Sequence, residues 1–245
     1  MRMRFSAGCR LLSAAASPAP HAAKASLSLK SLFVLSLLLA GCSGLVSREE
    51  AFAPQTINFD SCPAGQLPPD FTTALTGGGG PISWVVREDF AAPDKKKVLV
   101  QESSDATSYR FPMCIYKKTD ARDVAIEVDY KAISGKVDQA GGIVLRYSPE
   151  NYYIARANAL EDNVILFKTV KGKRSKIVEV PVKVTGGEWH TLRFEAKGPR
   201  LKVFFDGKLV IEKEDTTFSH AGRVGLWTKA DSVSAFANLK IDRAP

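Results

Sequence analysis

The stretch LKVFFDGKLVI, residues 201–211, has the clearest strand–turn–strand pattern in this chain. Its first half places an apolar residue at every second position from Leu201 to Phe205, which is the period of a half-buried strand. Asp206-Gly207 then supplies a two-residue turn of the kind that joins antiparallel strands, and a second apolar run follows. The stretch therefore predicts a β-hairpin with one buried face.

The same period of two recurs on both sides of this hairpin. It is clearest in Val124–Tyr130, Ile143–Tyr147 and Leu192–Ala196, and turn residues separate the runs, as at Lys171–Lys173. No apolar segment with a helical period of 3.6 follows residue 42. Many short strands, with turns about every ten residues, predict an all-β fold, a two-sheet antiparallel jelly-roll sandwich.

Several segments together resemble a known family. They are Gly141–Tyr147, Asn151–Leu160, Gly187–Arg193, Phe205–Lys208 and Ala221–Thr228. Over about residues 57–243 the chain resembles the concanavalin A-like jelly rolls of the 3-keto-disaccharide hydrolase family, which is similar to family-16-like and laminin-G-like domains. The resemblance implies an extracytoplasmic sandwich with a concave face suited to saccharides. It also implies that enzymes of this family cleave glycosidic bonds of 3-keto sugars by elimination or hydrolysis.

Planar polar and aromatic side chains gather between Gly141 and Asn163 and recur near Trp227. Aromatic rings stack on sugar rings, whereas arginine and asparagine donate hydrogen bonds to hydroxyl or carboxylate groups. The predicted ligand-binding residues are Arg146, Tyr152, Arg156, Asn158, Trp227 and Lys229. The alternative interpretation is that the tyrosines fill the core and the arginines pair with acids.

No catalytic residue is predicted. Glu127-Val128-Asp129-Tyr130-Lys131 comes nearest to the carboxylate triplet of a retaining glycosidase, but lysine replaces the third acid, so we expect a solvated face. Gly-x-Ser-x-Gly and His-Glu-x-x-His are absent from the sequence, and we expect neither a cofactor nor a metal site. The basic run from Lys171 to Lys176 is expected to be a solvated hairpin tip.

The N-terminal segment has the layout of an export signal. Lys30 precedes about ten apolar residues, a length of roughly 15 Å as a helix, which is too short for a hydrocarbon core of about 30 Å. Leu39-Ala40-Gly41-Cys42 resembles the bacterial lipobox. This predicts a signal segment at 1–41, lipidation such as palmitate on Cys42, a tether at 42–55 and the jelly-roll domain at 56–245. Ser43 favours the outer membrane if the cell is Gram-negative.

The signal segment also explains much of the charge. The net charge is +8, but five of the 34 basic residues and none of the 26 acidic residues lie within 1–41. The remaining 29 basic and 26 acidic residues are an ordinary surface balance, so a nucleic-acid partner is not expected. Cys9 and Cys42 belong to the leader and the anchor, which leaves Cys62 and Cys114. In an oxidising compartment these two predict a disulfide, with a reactive thiol pair as the alternative.

The sequence thus favours a lipid-anchored protein of the cell envelope whose partners are the bilayer and a saccharide. Two alternatives remain: an enzyme acting on glycosidic bonds of keto sugars, and a structural envelope protein. The oligomeric state is left open.

Overall fold

The computed structural model describes residues 53–89, 91–93 and 97–245 of the chain. The predicted signal segment, Cys42 and the tether up to residue 52 lie outside the described residues, so those expectations stay predictions. Among the described residues, none of the elements is an apolar helix of membrane-spanning length. The described residues all fall within one contact unit, Glu49–Pro245.

Two antiparallel sheets form the domain. The eight-stranded sheet contains, in spatial order, β13 (Lys208–Glu214), β12 (Arg200–Phe205), β11 (Trp189–Lys197), β6 (Val124–Ser134), β15 (Val233–Asp242), β4 (Lys97–Gln101) and β3 (Trp84–Glu88), with β1 (Gln55–Ile57) also paired to β15. The seven-stranded sheet contains β10 (Lys173–Pro181), β9 (Asn163–Val170), β8 (Asn151–Asn158), β7 (Ala140–Ser148), β14 (Gly222–Thr228), β5 (Arg110–Ala121) and β2 (Phe71–Gly77). The predicted sandwich is confirmed.

The hairpin predicted for residues 201–211 is formed by β12 and β13. Asp206 and Gly207 have φ values of 47° and 74°, the two positive values that a type I′ turn requires. Val203 lies opposite Ile211, and the strands shift register at a bulge directly after Val203. The turn chemistry and the period of two therefore both act as the sequence predicts.

The main core lies between the two sheets. It combines fully buried side chains of the seven-stranded sheet, such as Leu145 and Tyr153, with others of the eight-stranded sheet, such as Val128 and Phe194. Burying one such apolar side chain stabilises the fold by about 1.5–3 kcal/mol. A second apolar cluster contains only residues of the seven-stranded sheet: Phe111, Met113, Ile115, Ala140, Val144, Tyr152, Ile154, Ile165, Phe167 and Trp227. Because strand residues alternate between faces, this cluster lies on the sheet's outer face.

A contact made by Tyr109 shows that this outer face is strongly concave. The Tyr109 hydroxyl donates to the Gly172 carbonyl at 2.9 Å and accepts from the Arg174 amide at 2.9 Å. Tyr109 precedes β5, whereas Gly172 and Arg174 belong to the β9–β10 hairpin, and four strands separate β5 from β10. In a flat sheet these strands would lie more than about 20 Å apart. The sheet therefore curls until two of its corners meet over its outer face.

The predicted disulfide between Cys62 and Cys114 is wrong for this structure, in which both are free cysteines. Cys114 lies in β5, fully buried in the core between the sheets. Burial raises the pKa of its thiol well above the usual value, so the reactive thiolate is disfavoured. Cys62 lies in the loop after β1, where its carbonyl accepts a hydrogen bond from Lys97 Nζ at 2.9 Å. The redox compartment predicts that disulfides can form, but it does not determine which thiols meet.

Candidate functional site

The candidate site is a cleft on the concave outer face of the seven-stranded sheet, with a volume of about 590 Å³. Three adjacent strands, β8, β9 and β10, and the ends of two loops supply its walls. The lining residues are Arg156, Glu161, Asn163, Ile165, Phe167, Arg174, Lys176, Glu179 and Lys229. The cavity lined by these residues is called the cleft below.

Arg156 anchors the polar network of the cleft. Its side chain is 2% exposed, and Nη2 donates to Glu161 Oε2 at 2.7 Å and to Asn163 Oδ1 at 2.6 Å. The Asn163 amide in turn donates to Glu161 Oε2 at 3.2 Å and to Glu179 Oε1 at 2.8 Å. Within the described chain, the buried Nε of Arg156 has no hydrogen-bond partner. Planar groups that could bind a polar ligand are thus held in place by one another.

Asn158 and Lys229 support the floor at the end of the cleft. The Asn158 amide donates to Asp138 Oδ1 at 2.8 Å, and its oxygen accepts the Leu160 amide at 2.8 Å. Lys229 pairs with the other oxygen of Asp138. Burial raises the pKa of Asp138, although its hydrogen bond to Lys229 opposes the shift. Asn158 therefore has its polar groups occupied within the protein, whereas Lys229 also lines the cleft.

The loop that carries Asp138 is fixed from the neighbouring β14–β15 connection. The carboxylate of Asp231 accepts hydrogen bonds from the backbone amides of Lys136 at 2.7 Å and of Val137 and Asp138 at 3.0 Å. Burial raises the pKa of Asp231, but these three bonds outweigh that effect and the pKa is lowered overall. The backbone around Asp138 is consequently held rigid beneath the cleft.

Trp227 and Tyr152 lie on the outer face of the seven-stranded sheet, as predicted, but they are buried beneath the cleft. Both are fully buried. The Trp227 ring stacks on Phe111, with centroids 5.5 Å apart and planes 20° apart. No described residue accepts a hydrogen bond from Trp227 Nε1. Burial raises the pKa of the Tyr152 hydroxyl. These rings support the site from below, and neither lines the cleft.

Arg174 covers this floor, and sequence reasoning missed it. Its guanidinium lies 4.4 Å from the ring centroid of Phe111, 4.3 Å from that of Phe167 and 5.6 Å from that of Trp227. The basic run Lys171–Lys176 was expected to be solvated, but the curl of the sheet folds Arg174 onto the concave face. A signal was present: a two-residue turn at Lys171-Gly172 sets Arg174 opposite Thr169, on the face of Phe167.

Arg146 does not reach the cleft. A bulge interrupts the β7–β8 pairing after Leu145, and Arg146 adopts a φ of 52°, which turns its side chain away from the outer face. Nε, Nη1 and Nη2 donate to the carbonyls of Arg122, Phe218 and Gly198 at 2.9, 2.6 and 2.7 Å. Arg146 therefore ties three loops together. Contrary to the expected alternation, it does not line the cleft, because alternation fails at the bulge.

The acids Glu127 and Asp129 lie on the outer face of the eight-stranded sheet, away from the cleft. Glu127 pairs with Lys240 at 2.9 Å and with Arg193 at 3.7 Å. Asp129 accepts hydrogen bonds from the Thr191 hydroxyl at 3.1 Å and from the Asn238 amide at 2.8 Å. Glu127 and Asp129 therefore do not contribute to the cleft.

Two carboxylates of the cleft lie close enough to share a donor, yet neither is tuned as a general acid. Burial alone would raise the pKa of Glu161, but the hydrogen bond and charge of Arg156 outweigh it and lower the pKa. Hydrogen bonds from Lys176 and Asn163 lower the pKa of Glu179. A glycosidase requires one carboxylic acid whose pKa is raised towards neutrality. The cleft is therefore arranged to bind polar groups, with both carboxylates ionised.

Comparisons with known proteins agree with this architecture. A levanase of Bacillus subtilis (strain 168) is 31% identical over 143 residues, which is 57% of this chain. The chain spans about a fifth of the length of that curated relative, since the match covers 20% of it.

Two solved structures share the fold. The carbohydrate binding module CBM66 from Bacillus subtilis superimposes with a TM-score of 0.57 at 24% identity, over 71% of this chain and 95% of the module. Domain 4 of AbnA, a GH43 extracellular arabinanase from Geobacillus stearothermophilus, in complex with arabinotriose, superimposes with a TM-score of 0.51 at 14% identity, over 77% of this chain and 91% of that domain.

A family model assigns the chain to a family, which the similarities to single proteins do not. The model of the 3-keto-alpha-glucoside-1,2-lyase-like domain matches residues 78–242, more than half of the chain and every strand from β3 to β15. The chain belongs to the 3-keto-alpha-glucoside-1,2-lyase-like family.

Proposed function

We propose that the protein binds a saccharide in the cleft. The observation that carries the proposal is the network of Arg156, Glu161, Asn163 and Glu179, in which planar donors and acceptors are fixed on a rigid sheet. Vicinal hydroxyl groups both donate and accept, so carboxylates and a guanidinium or amide side by side match them well. The names of the relatives, a levanase and a carbohydrate binding module, support the same ligand class.

The charge state of the cleft favours binding over glycosidase-type hydrolysis. Family membership supports a lyase or hydrolase as the second candidate function. Glycosidase-type hydrolysis needs a protonated carboxyl, and the lowered pKa values of Glu161 and Glu179 disfavour one in the cleft at neutral pH. Elimination from a keto sugar needs a general base instead, so these pKa values argue against the hydrolase and not against the lyase. Incubation with a 3-keto-disaccharide tests this choice: we expect no product, and a reducing or ultraviolet-absorbing product would establish the enzyme.

A glycan array probed with the full chain tests the binding proposal. We expect retention on a restricted set of glycans. Glu161→Gln should weaken this binding at least tenfold, because the amide cannot accept from Arg156 as a carboxylate does. Glu127→Gln makes the same chemical change on the opposite sheet and should leave binding unchanged. An array without any binding by the folded protein would refute the proposal.

For the cellular location, we propose an envelope protein anchored by lipid at Cys42. The support is the apolar run and lipobox-like tetrapeptide before that residue. Labelling with an alkyne analogue of palmitate in a bacterial host tests it. The label should be incorporated by the wild type and lost in Cys42→Ala, and equal labelling of both would contradict the anchor.

A further inference from the structure

Arg174 differs from the other cations of the cleft because it has no carboxylate partner among the described residues. Four cations line it, and three of them have carboxylate partners: Arg156 with Glu161 at 2.7 Å, Lys176 with Glu179 at 2.6 Å, and Lys229 with Asp138. Arg174 forms no ion pair with any described residue, and the buried Nη1 of its guanidinium lacks a hydrogen-bond partner there. The cleft and its immediate supports thus hold four positive and three negative charges.

The aromatic floor explains where Arg174 lies but does not neutralise it. Ring faces attract a guanidinium by about 0.5–2 kcal/mol, yet they accept no conventional hydrogen bond and carry no net charge. A buried N–H without an acceptor carries a desolvation cost. Burial first, and then repulsion from Arg156, lower the pKa of Arg174. An anionic group at this position would relieve both the missing acceptor and the repulsion.

The position of Arg174 is fixed before any ligand arrives. Its backbone amide donates to Tyr109 at 2.9 Å, its guanidinium lies between Phe111 and Phe167, and it lines the cleft. A preorganised guanidinium loses little conformational freedom on binding, and its planar fork matches a carboxylate. Arginines with this geometry are typical of sites for planar anions.

We propose that the saccharide is acidic, and that a hexuronate residue places its carboxylate against Arg174. The proposal rests on the saccharide-binding function proposed above and specifies the class of sugar. Arg174 donates to the uronate carboxylate, while Glu161, Asn163 and Glu179 bind the hydroxyl groups of the ring. The incoming negative charge balances the one cation of the cleft that has no carboxylate partner among the described residues.

Matched acidic and neutral oligosaccharides test this specificity directly. Oligomers of galacturonate, mannuronate and glucuronate are compared by calorimetry with their carboxyl-reduced derivatives, which keep the linkage and ring but lack the charge. With the full chain, we expect at least one acidic series to bind tenfold or more tightly than its reduced counterpart. Raising the salt concentration should weaken the acidic series alone.

Two variants locate the effect. Arg174→Gln should bring the ratio of affinities close to one, whereas Arg174→Lys should keep part of it, because it retains the charge without the planar fork. Arg193→Gln on the opposite sheet is the matched control and should leave the ratio unchanged. Reduced oligomers that bind as tightly as acidic ones to the wild type would overturn the acidic specificity while the saccharide function stands. A folded protein that binds neither series nor any neutral glycan would overturn both.

Discussion

The outer faces of the two sheets each carry a cavity lined by charged side chains, but the two faces differ in how those charges are paired. Each has a cavity with a tryptophan nearby: about 590 Å³ on the seven-stranded sheet, and about 670 Å³ on the eight-stranded sheet. On the eight-stranded face, Glu127 pairs with Lys240 and Arg193, and Asp129 is held by Thr191 and Asn238. On the seven-stranded face, Arg174 has no such partner among the described residues.

This difference shows that cavity size alone does not identify a site. The carboxylates of the larger cavity, Glu127 and Asp129, are already bound within the fold, so a charged ligand would have to break existing bonds there. The buried Nε1 of Trp189 in that cavity also lacks a partner among the described residues, but it carries no charge. Two arginines that line the smaller cleft, Arg156 and Arg174, each have one buried nitrogen without a partner in the described chain, Nε and Nη1 respectively. Buried donors without acceptors are rare in folded proteins and indicate where a ligand would add the missing contacts.

The tryptophans give the largest contrast between the two faces. Trp227→Ala removes a fully buried ring stacked on Phe111, and we expect a loss of about 3–5 kcal/mol in the free energy of unfolding. Trp189 is partly exposed, so Trp189→Ala should cost roughly 1 kcal/mol. Urea unfolding of both variants measures the difference. Equal losses would show that the floor of the cleft is not a packed support.

Replacing one arginine on each face should give a smaller difference in stability than replacing the tryptophans. Arg156→Met leaves Glu161, Asn163 and Asp138 without their buried cation, and we expect a loss of about 3 kcal/mol together with loss of saccharide binding. Arg193→Met removes partly exposed ion pairs and should cost less than about 1 kcal/mol. Thermal melts and binding isotherms check both variants. Retained binding in a folded Arg156→Met variant would contradict the role of the network.

The acid limb of the stability curve sharpens the comparison further. Because the folded-state pKa values of Glu161 and Glu179 are lowered, their stabilisation is fully present above the unfolded value of about 4.3. It is lost as the pH falls through the folded pKa values. The wild type should therefore lose unfolding free energy more steeply below about pH 4 than Glu161→Gln/Glu179→Gln. Urea unfolding of both proteins between pH 3 and 6 measures this difference. If their unfolding free energies fell in parallel with pH, the lowered pKa values would be contradicted.

The smallest effect concerns the contact that closes the curled sheet. Tyr109→Phe removes the hydrogen bonds to Gly172 and Arg174, and we expect a loss of about 1 kcal/mol. Amide hydrogen exchange at Arg174 should become faster because the hairpin loses its anchor. Tyr116→Phe, which removes a bond to Gln55 elsewhere, is the control. Unchanged exchange at Arg174 would show that the curl does not depend on Tyr109.

Much of the fold and two of the nine residues that line the cleft, Arg156 and Lys229, follow from local sequence patterns. The Asp206-Gly207 turn and the period of two predict the hairpins and the sandwich, since both act within a few residues. Alternation along β8 also brings Arg156 and Tyr152 to one face, as predicted. Arg146 breaks the rule because a bulge with positive φ reverses its direction, and no pattern in β7 signals it.

The remainder depends on contacts that are distant in sequence. Arg174 and Tyr109 meet only because the seven-stranded sheet curls, and curl is a property of the whole sheet. Glu161, in the β8–β9 turn, and Glu179, in β10, become neighbours through Asn163 at the start of β9. Cys62 and Cys114 are free in the structure, and no local pattern in either segment gives the distance between their thiols. Sequence patterns predict faces of strands, whereas distances between far positions require the fold.

Nuclear magnetic resonance mapping of a bound oligosaccharide is the decisive test of whether the saccharide binds in the cleft of the seven-stranded sheet. Titrating the labelled full chain with a glycan retained on the array should shift the backbone amides of Arg156, Asn163, Arg174 and Glu179. The amides around Glu127 on the eight-stranded sheet should not move. Shifts confined to the region of Glu127 and Trp189 would contradict the account and place the site on the opposite face.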